Sequence, residues 1–355
     1  MTRVLVTGAN GHVGSNLVRV LLRRGYEVVP FVRRTSDLRG LEGLGLDYVY
    51  GDVMDWNSLR GAAEGCDVMI HLAAIYRYWA KDPEEILQPA LVGTRNALIA
   101  AKEAGIRRVI YTSTVWAVGW SQDPYRPRTD AQWNEDARNP YAIAKTQAEK
   151  DAWRLADELD LAFITICPGG IIGPYDYRIT PSMALLQGLV NGTTPVTKSG
   201  FSFVHVDDVA EVHCRAIEQG EPGQRYLVAG PNALMQEYGE MVAKLTGVTP
   251  LQLKGGRTML QVVATLAELG SKFTHSEPLL TRALAKEMGE RYMYYDCSRT
   301  YETFGISPRG IEEMFGDGIR WLLHINALKP AITKRLADRF LPDPAWVSRR
   351  QQAVV

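Results

Sequence analysis

What this chain has little of already narrows what it can be. It carries four cysteines in 355 residues, Cys66, Cys167, Cys214 and Cys297, far apart and without a Cys-x-x-Cys pair. That spacing suits neither a disulfide framework nor a thiolate metal site, so they read as buried thiols in a reducing compartment, with no metal expected. Neither charge is in excess, since 40 basic residues face 40 acidic ones. No overall field then recruits nucleic acid or an anionic membrane, and the expected partner is a small molecule held in a local site. No uncharged apolar run reaches the roughly 18–20 residues of a membrane span. The first strand begins too early to leave room for a secretory leader, so a soluble, cytoplasmic protein is expected.

What is present begins with an apolar run that breaks into glycines. Val4-Leu5-Val6 reads as a buried strand, Gly8, Gly11 and Gly14 follow at spacing of three, and Ser15 to Leu22 restores apolar positions at helical spacing. Glycine permits positive φ and lets backbone approach a diphosphate, whose charge then meets free N–H groups at a helix N-terminus. The spacing is Gly-x-x-Gly-x-x-Gly, which matches the dinucleotide fingerprint only in part.

Strands and helices then alternate. Gly25 stops the first helix and Glu27 to Val32 forms a second strand, in which Pro30 should cause a local irregularity. It ends in Arg33-Arg34, with the nearest acid, Asp37, only later. A basic side chain at this place suits the 2′-phosphate of NADP, whereas an acid suits the 2′-OH of NAD. Further strands are expected at 47–53, 66–74, 108–113, 162–168 and 225–228, and helices at 56–63, 91–104, 141–158 and from Val206. Such alternation indicates right-handed crossovers and an α/β, Rossmann-type doubly wound parallel sheet. A cofactor domain is expected from 1–170 and 206–231, and a smaller, helix-rich substrate lobe from 171–205 and 232–320. The segment 321–355 reads as a basic amphipathic tail, in which Ile332, Leu336, Phe340 and Leu341 recur at near-helical spacing. It should pack on the smaller lobe or a partner subunit rather than lie on a membrane.

Three residues carry chemistry. Tyr141 and Lys145 lie one turn apart on a helix, and Thr114 ends a neighbouring strand. Tyrosine is a weak acid at its reference pKa of about 10, and an ammonium nearby lowers it. Strand alternation lets only one of Ser113 and Thr114 face the site, and Thr114 is the choice for a hydrogen bond to the reacting oxygen.

Together these residues resemble the extended short-chain dehydrogenase/reductase family, and within it the dihydroflavonol reductase-like branch. Thr7 to Gly14 is similar to its cofactor loop, His71-Leu72-Ala73-Ala74 to its wall behind the cofactor, and Tyr141 with Lys145 to its catalytic pair. Val115 to Gly119, Ala144 to Glu149 and Phe203 to Val209 resemble the branch itself. The resemblance implies cofactor contacts at Gly8, Asn10, Gly11, His12, Val13 and Gly14, adenine contacts at Asp52 and Val53, and further contacts at Leu72, Ala73, Ala74 and Ser113. It also implies that Lys145 holds the nicotinamide ribose, that Tyr141 is the general acid, and that Pro168, Gly169, Gly170 and Ile171 lie by the nicotinamide. Sugar epimerases of the family usually carry asparagine three residues before the Gly-Thr pair, whereas here Ala90 precedes Gly93-Thr94. That departure favours reduction of a free carbonyl. The expectation is an NADPH-dependent reductase of a ketone or aldehyde. The alternatives are a nucleotide-sugar epimerase or hydroxysteroid-type dehydrogenase using NAD(P), and a non-catalytic NADP sensor. Ile75, Tyr76, Tyr78, Trp79, Trp116 and Trp120 point to an apolar or aromatic substrate. The helices near 91–104 and 141–158 resemble the family's dimer face.

Overall fold

The computed structural model describes residues 1–340 except 79, 81, 253–255, 275–281, 283–284 and 287–290. Seven parallel strands form the central sheet in the order β3-β2-β1-β4-β5-β6-β10. They are β1 (Arg3–Thr7), β2 (Glu27–Val32), β3 (Val49–Tyr50), β4 (Val68–His71), β5 (Arg108–Thr112), β6 (Phe163–Pro168) and β10 (Arg225–Val228). Side-chain alternation divides the sheet's two cores. Val4, Val6, Val68, Ile70, Ile164 and Ile166 face one core with Leu17, Val18, Val209 and Val212 of helices α1 (His12–Arg23) and α6 (Val206–Ala216). Leu5, Met69, Val109 and Phe163 face the other, with residues of α2 (Trp56–Ala63), α3 (Glu84–Glu103) and α4 (Pro140–Glu158). Strands buried on both faces explain the nearly continuous apolar runs in the sequence.

Two sequence expectations are corrected here. Pro30 causes no irregularity and pairs in register with Val6. The Glu27 N–H and the Phe31 carbonyl both bond toward the β1 side, to Thr2 and from Gly8, so the even-numbered residues face β3. β3 begins opposite Phe31, and the missing N–H of Pro30 falls beyond its end. Helix α3 starts at Glu84 rather than at 91 and carries Pro89 inside it. Its start is fixed by Asp82, whose carboxylate accepts the Glu84 N–H at 3.0 Å, and by Glu84 and Glu85 in the first turn.

The chain leaves the sheet twice, after β6 and after β10, to build a second layer over the strand C-termini. This part is less purely helical than expected. β7 (Gly170–Ile172) lies parallel to β9 (Gly200–His205), β11 (Asn232–Leu234) runs antiparallel to β9, and β8 (Pro195–Val196) pairs with β12 (Leu251–Gln252). Helices α5 (Pro181–Val190) and α7 (Met235–Thr246) and the helix Ile311–His324 supply its core through Met183, Leu186, Tyr238, Phe315 and Trp321. The helix Ile311–His324 runs on through position 320, where the sequence reading ended the lobe. Among the described residues no helix is long and apolar enough to cross a membrane.

The tail begins with a helix, Pro330–Phe340, whose Leu336 and Phe340 are buried in this same core; Leu341 lies outside the described residues. The Arg320 Nε donates to the Phe340 carbonyl at 3.1 Å. A chain ending at Asn326 should lose at most roughly 3–6 kcal/mol from these two side chains. Thermal unfolding tests this, and an unchanged melting temperature would mean that the helix adds no stability.

Candidate active site

The glycine turn forms a cradle that side chains would fill. Gly8 has φ +68°, and a Cβ there would stand 3.0 Å from the Ala73 backbone; one on Gly14 would stand 2.3 Å from the Gly8 carbonyl oxygen. The Gly11 N–H closes the turn on that same carbonyl at 3.0 Å. α1 then opens with no side-chain cap and no acid in its first turn. Its positive end is left for an anion, and a dinucleotide diphosphate fits it. Asn10 ties the turn to the following loop by donating to the Asp37 carbonyl at 3.1 Å, and Val13 packs against the α1–α6 core.

The wall beside this cradle is fixed from β4. The Thr7 hydroxyl bonds His71 Nδ1 at 2.8 Å and accepts the Ala73 N–H at 3.3 Å, which places Leu72, Ala73 and Ala74 beside Gly8. Burial pushes His71 down to about 3, so it is neutral and structural. Asp52 accepts the Met54 N–H at 2.9 Å, and Val53 lies against Gly93 of α3, where a Cβ would come within 2.8 Å. Arg33 and Arg34 are exposed at the end of β2, with the Arg34 guanidinium 5.1 Å over the Tyr50 ring. Asp37, the nearest acid, is gripped by Arg39 at 2.6 Å and held below the usual carboxylate range by those hydrogen bonds.

α4 carries Tyr141 and Lys145. Asn139 accepts the Ala142 N–H at 2.9 Å and Pro140 opens the helix, so Tyr141, Lys145 and Glu149 fall on one buried face. Thr114 is the side chain that favours the ionised Tyr141 phenol, and it accepts the Trp116 N–H at 3.3 Å. The Ser113 hydroxyl donates to Glu149 at 2.5 Å, one turn further along the same face of α4. Gly169 donates to the Val228 carbonyl at 2.9 Å, and Cβ atoms on Gly169 and Gly170 would meet the Ser202 carbonyl and the Phe203 ring. Pro168, Gly169, Gly170 and Ile171 thus run tightly along the C-terminal edge of the sheet.

One electrostatic expectation is corrected. The Lys145 field was to lower the Tyr141 phenol, yet burial pushes that phenol well up, reinforced by Tyr76 and opposed by the Thr114 hydrogen bond. Lys145 is itself buried, donates to the Thr112 carbonyl at 2.8 Å, and is pulled down to about 8 by burial against the upward pull of Glu149.

Rings close over Tyr141. Tyr76 and Tyr78 lie 5.0 and 5.7 Å from it, centroid to centroid, Trp116 lies 5.3 Å from Tyr78, and Trp120 lies 6.3 Å from Trp116. Their hydroxyls bond in a chain, Tyr78 to Tyr76 at 2.9 Å and Tyr76 to Ser182 at 3.1 Å. Of the six aromatic and apolar residues singled out in the sequence, Ile75 packs elsewhere, with Ala80, Ile86 and Ala144, and Trp79 lies outside the described residues.

Sequence reading gave Glu149 no role. Its buried carboxylate takes Arg225 Nε at 2.7 Å and Nη2 at 3.0 Å, besides the Ser113 hydroxyl. Arg225 extends to the carbonyls of Asp130 and Gln132 and lies 4.0 Å over the Trp133 ring, tying α4, β10 and the long 115–139 loop together. The available signal was the period: Glu149 continues the Tyr141–Lys145 face by one more turn.

This fold and site coincide with a family model, the NAD dependent epimerase/dehydratase family, matched over residues 4–229. The chain belongs to that family. Relatives in it include "Sterol demethylase protein B" of Methylococcus capsulatus, 32% identical and covering 89% of this chain and 97% of its own length. A putative dihydroflavonol 4-reductase of Synechocystis is 32% identical, covering 91% and 95%. The crystal structure of gox2253 superposes with a TM-score of 0.82 at 32% identity, covering 93% of this chain and all of that one, 100%. This member of the epimerase/dehydratase family is an oxidoreductase of the extended short-chain type, on the dihydroflavonol reductase-like branch. The family implies a nicotinamide cofactor.

Proposed function

We propose that this chain is an NADPH-dependent reductase of an apolar or aromatic ketone or aldehyde. The observation that carries the reading is the buried Tyr141, enclosed by Tyr76, Tyr78 and Trp116 at the sheet edge that also holds the glycine cradle. When bound, the reduced nicotinamide supplies a hydride to the carbonyl carbon. Tyr141 donates its proton to the carbonyl oxygen, and Thr114 donates a hydrogen bond to the same oxygen. Lys145, charged below about 8, steadies the phenolate left on Tyr141 and holds the nicotinamide ribose. The glycine turn, from Gly8 to Gly14, holds the diphosphate; Asp52, Val53, Leu72, Ala73 and Ala74 flank the adenine and ribose, and Pro168 to Ile171 flank the nicotinamide. The same reading assigns 1–170 and 206–231 to cofactor and 171–205 with 232–320 to substrate, and pairs two copies through α3 and α4.

A second reading, a hydroxysteroid-type dehydrogenase, is favoured by the likeness to "Sterol demethylase protein B". The two separate in one screen, aromatic ketones and aldehydes with NADPH against sterol alcohols with NADP⁺ or NAD⁺. Turnover only of sterols would displace the first reading.

Cofactor choice gives a separate test. This reading gives the 2′-phosphate to Arg33 and Arg34, which stand exposed at the end of β2, while Arg39 already occupies Asp37. Neutralising both should weaken NADPH by about 1.5–3 kcal/mol per lost charge-assisted bond and leave NADH nearly unaffected. Equal weakening of both, measured by fluorescence titration, would remove the arginines from phosphate recognition.

A further inference from the structure

Beyond α7 the chain forms a helix, α8 (Gly256–Thr274), that has no part in the chemistry above. Its apolar side chains face outward. Met259, Val262, Val263, Leu266 and Leu269 recur at helical spacing along one side, and all five are between 37% and 63% exposed. The opposite side is small and polar. Ala264 is fully buried, Gln261 donates from Nε2 to the Arg282 carbonyl at 3.4 Å, and the Glu268 carboxylate accepts from the Arg282 guanidinium at 2.7 Å. An ordinary surface helix is amphipathic in the reverse sense, with its apolar stripe turned to the core. Among the described residues none of the apolar cores takes a side chain from α8. The stripe leaves roughly 400 Å² of apolar surface in one patch, within the range of patches that are often functional.

Size, chemistry and flanks argue for what covers this stripe. Two copies meeting through it would bury roughly 800 Å² in total, below the roughly 1,200–2,000 Å² of a specific, stable interface. Protein interfaces also carry about one hydrogen bond per 100–200 Å², and the five side chains of the stripe can make none. Between Thr258 and Gly270 the one charged residue is Glu268, which is engaged by Arg282. Lipid tails require no polar match. Basic residues bracket the stripe, with Arg257 before it and Lys272 after it in α8, and the exposed Arg282 docks on the helix through Glu268. Cations framing an apolar face suit anionic headgroups above an acyl layer.

We propose that α8 is a membrane-docking surface, with its stripe lying in the plane of an anionic bilayer and its flanking cations at the headgroups. The helix lies on the membrane and does not span it, since among the described residues no helix is long and apolar enough to cross. A chain with no net charge is drawn to no membrane by its overall field, so the attraction is local to this helix. The exposed apolar area is about that of one myristoyl chain, whose association is reversible with a constant of roughly 10⁴ M⁻¹. The protein therefore exchanges between solution and surface. Docking brings the second layer to compounds dissolved in lipid, which fits the apolar substrate class proposed above but does not depend on it.

Flotation of the full chain with vesicles of mixed phosphatidylglycerol and phosphatidylcholine tests the proposal. At roughly 1 mM accessible lipid most of the protein should float, as a constant near 10⁴ M⁻¹ requires. Vesicles of phosphatidylcholine alone should bind several-fold less, and equal binding would overturn the choice of an anionic surface. In the double variant Leu266→Asp, Leu269→Asp the association constant should fall at least about tenfold, with an unchanged melting temperature because neither side chain supports a core. No flotation of the wild type, or flotation undiminished in the variant, overturns the proposal. Sedimentation velocity reads the rival occupant. Self-association that the variant abolishes, without flotation of the wild type, would give the stripe to a second copy instead. Should the double variant not fold, an environment-sensitive dye on Val263→Cys decides, since the four native cysteines are buried. Its emission should move to the blue on adding the anionic vesicles, and an unmoved emission overturns the proposal.

Discussion

Replacing Tyr141 with phenylalanine should cut turnover by about 10²–10⁴-fold while NADPH still binds within about twofold of wild type. The substitution removes one oxygen from a ring held by packing against Tyr76 and Tyr78 at 5.0 and 5.7 Å, so neither the aromatic wall nor α4 loses its support. Only the transferable proton goes. In the free chain that proton is tightly held, since burial raises the phenol and the Thr114 hydrogen bond only partly opposes it. A carbonyl oxygen gaining negative charge during hydride transfer then becomes the base that draws it off. Steady-state rates and fluorescence titration of cofactor, measured on one preparation, check both halves. Wild-type turnover by the variant would take the general acid away from Tyr141.

Glu149→Gln should destabilise the fold by about 3–5 kcal/mol, the usual cost of stranding one member of a buried ion pair. Arg225 would keep the Asp130 and Gln132 carbonyls and the face of Trp133 but lose the charge that balances it at 2.7 Å. Removing Glu149 also removes an upward pull on Lys145, which stands at about 8. The Lys145 charge would then be lost at lower pH, so the alkaline limb of kcat/KM should move toward acid. Chemical denaturation and a pH–rate profile read the two effects separately. A fully stable E149Q with an unmoved alkaline limb would sink the assignment. The double variant E149Q/R225M should recover part of the lost stability, because it leaves no charge stranded.

The parallel sheet and its order of crossovers were legible because buried strands and amphipathic helices write their periods directly into the chain. β2, α2 and β10 fall at the expected residues, 27–32, 56–63 and 225–228. Expectations failed where a neighbour overrides a local rule. Pro30 was read as a defect because its propensity is visible in sequence, whereas the late start of its partner β3, opposite Phe31, is not. The expected start of α3 at 91 fell seven residues late, where the Asp82 carboxylate and the acids of the first turn begin the helix at Glu84. At the site, Tyr141 and Lys145 were legible as one buried helix face because a four-residue spacing is local. Glu149–Arg225 could not be read, because it joins two separate elements 76 positions apart, and isolated charges carry no mark of their partners.

The late arrival of β10 has a consequence for the nascent chain. Glu149 is synthesised 76 residues before the arginine that neutralises it. At ribosomal rates of about 5–20 residues per second, that carboxylate waits roughly 4–15 s for its counter-charge. During that interval α4 has every reason to keep Glu149 in water, and with it Tyr141 and Lys145 on the same face. The catalytic helix therefore docks for good only after the polypeptide has passed through the second layer and come back. A truncated translation product that ends inside that excursion should expose this face to chaperones and proteases instead of accumulating as a half-built oxidoreductase that sequesters nicotinamide.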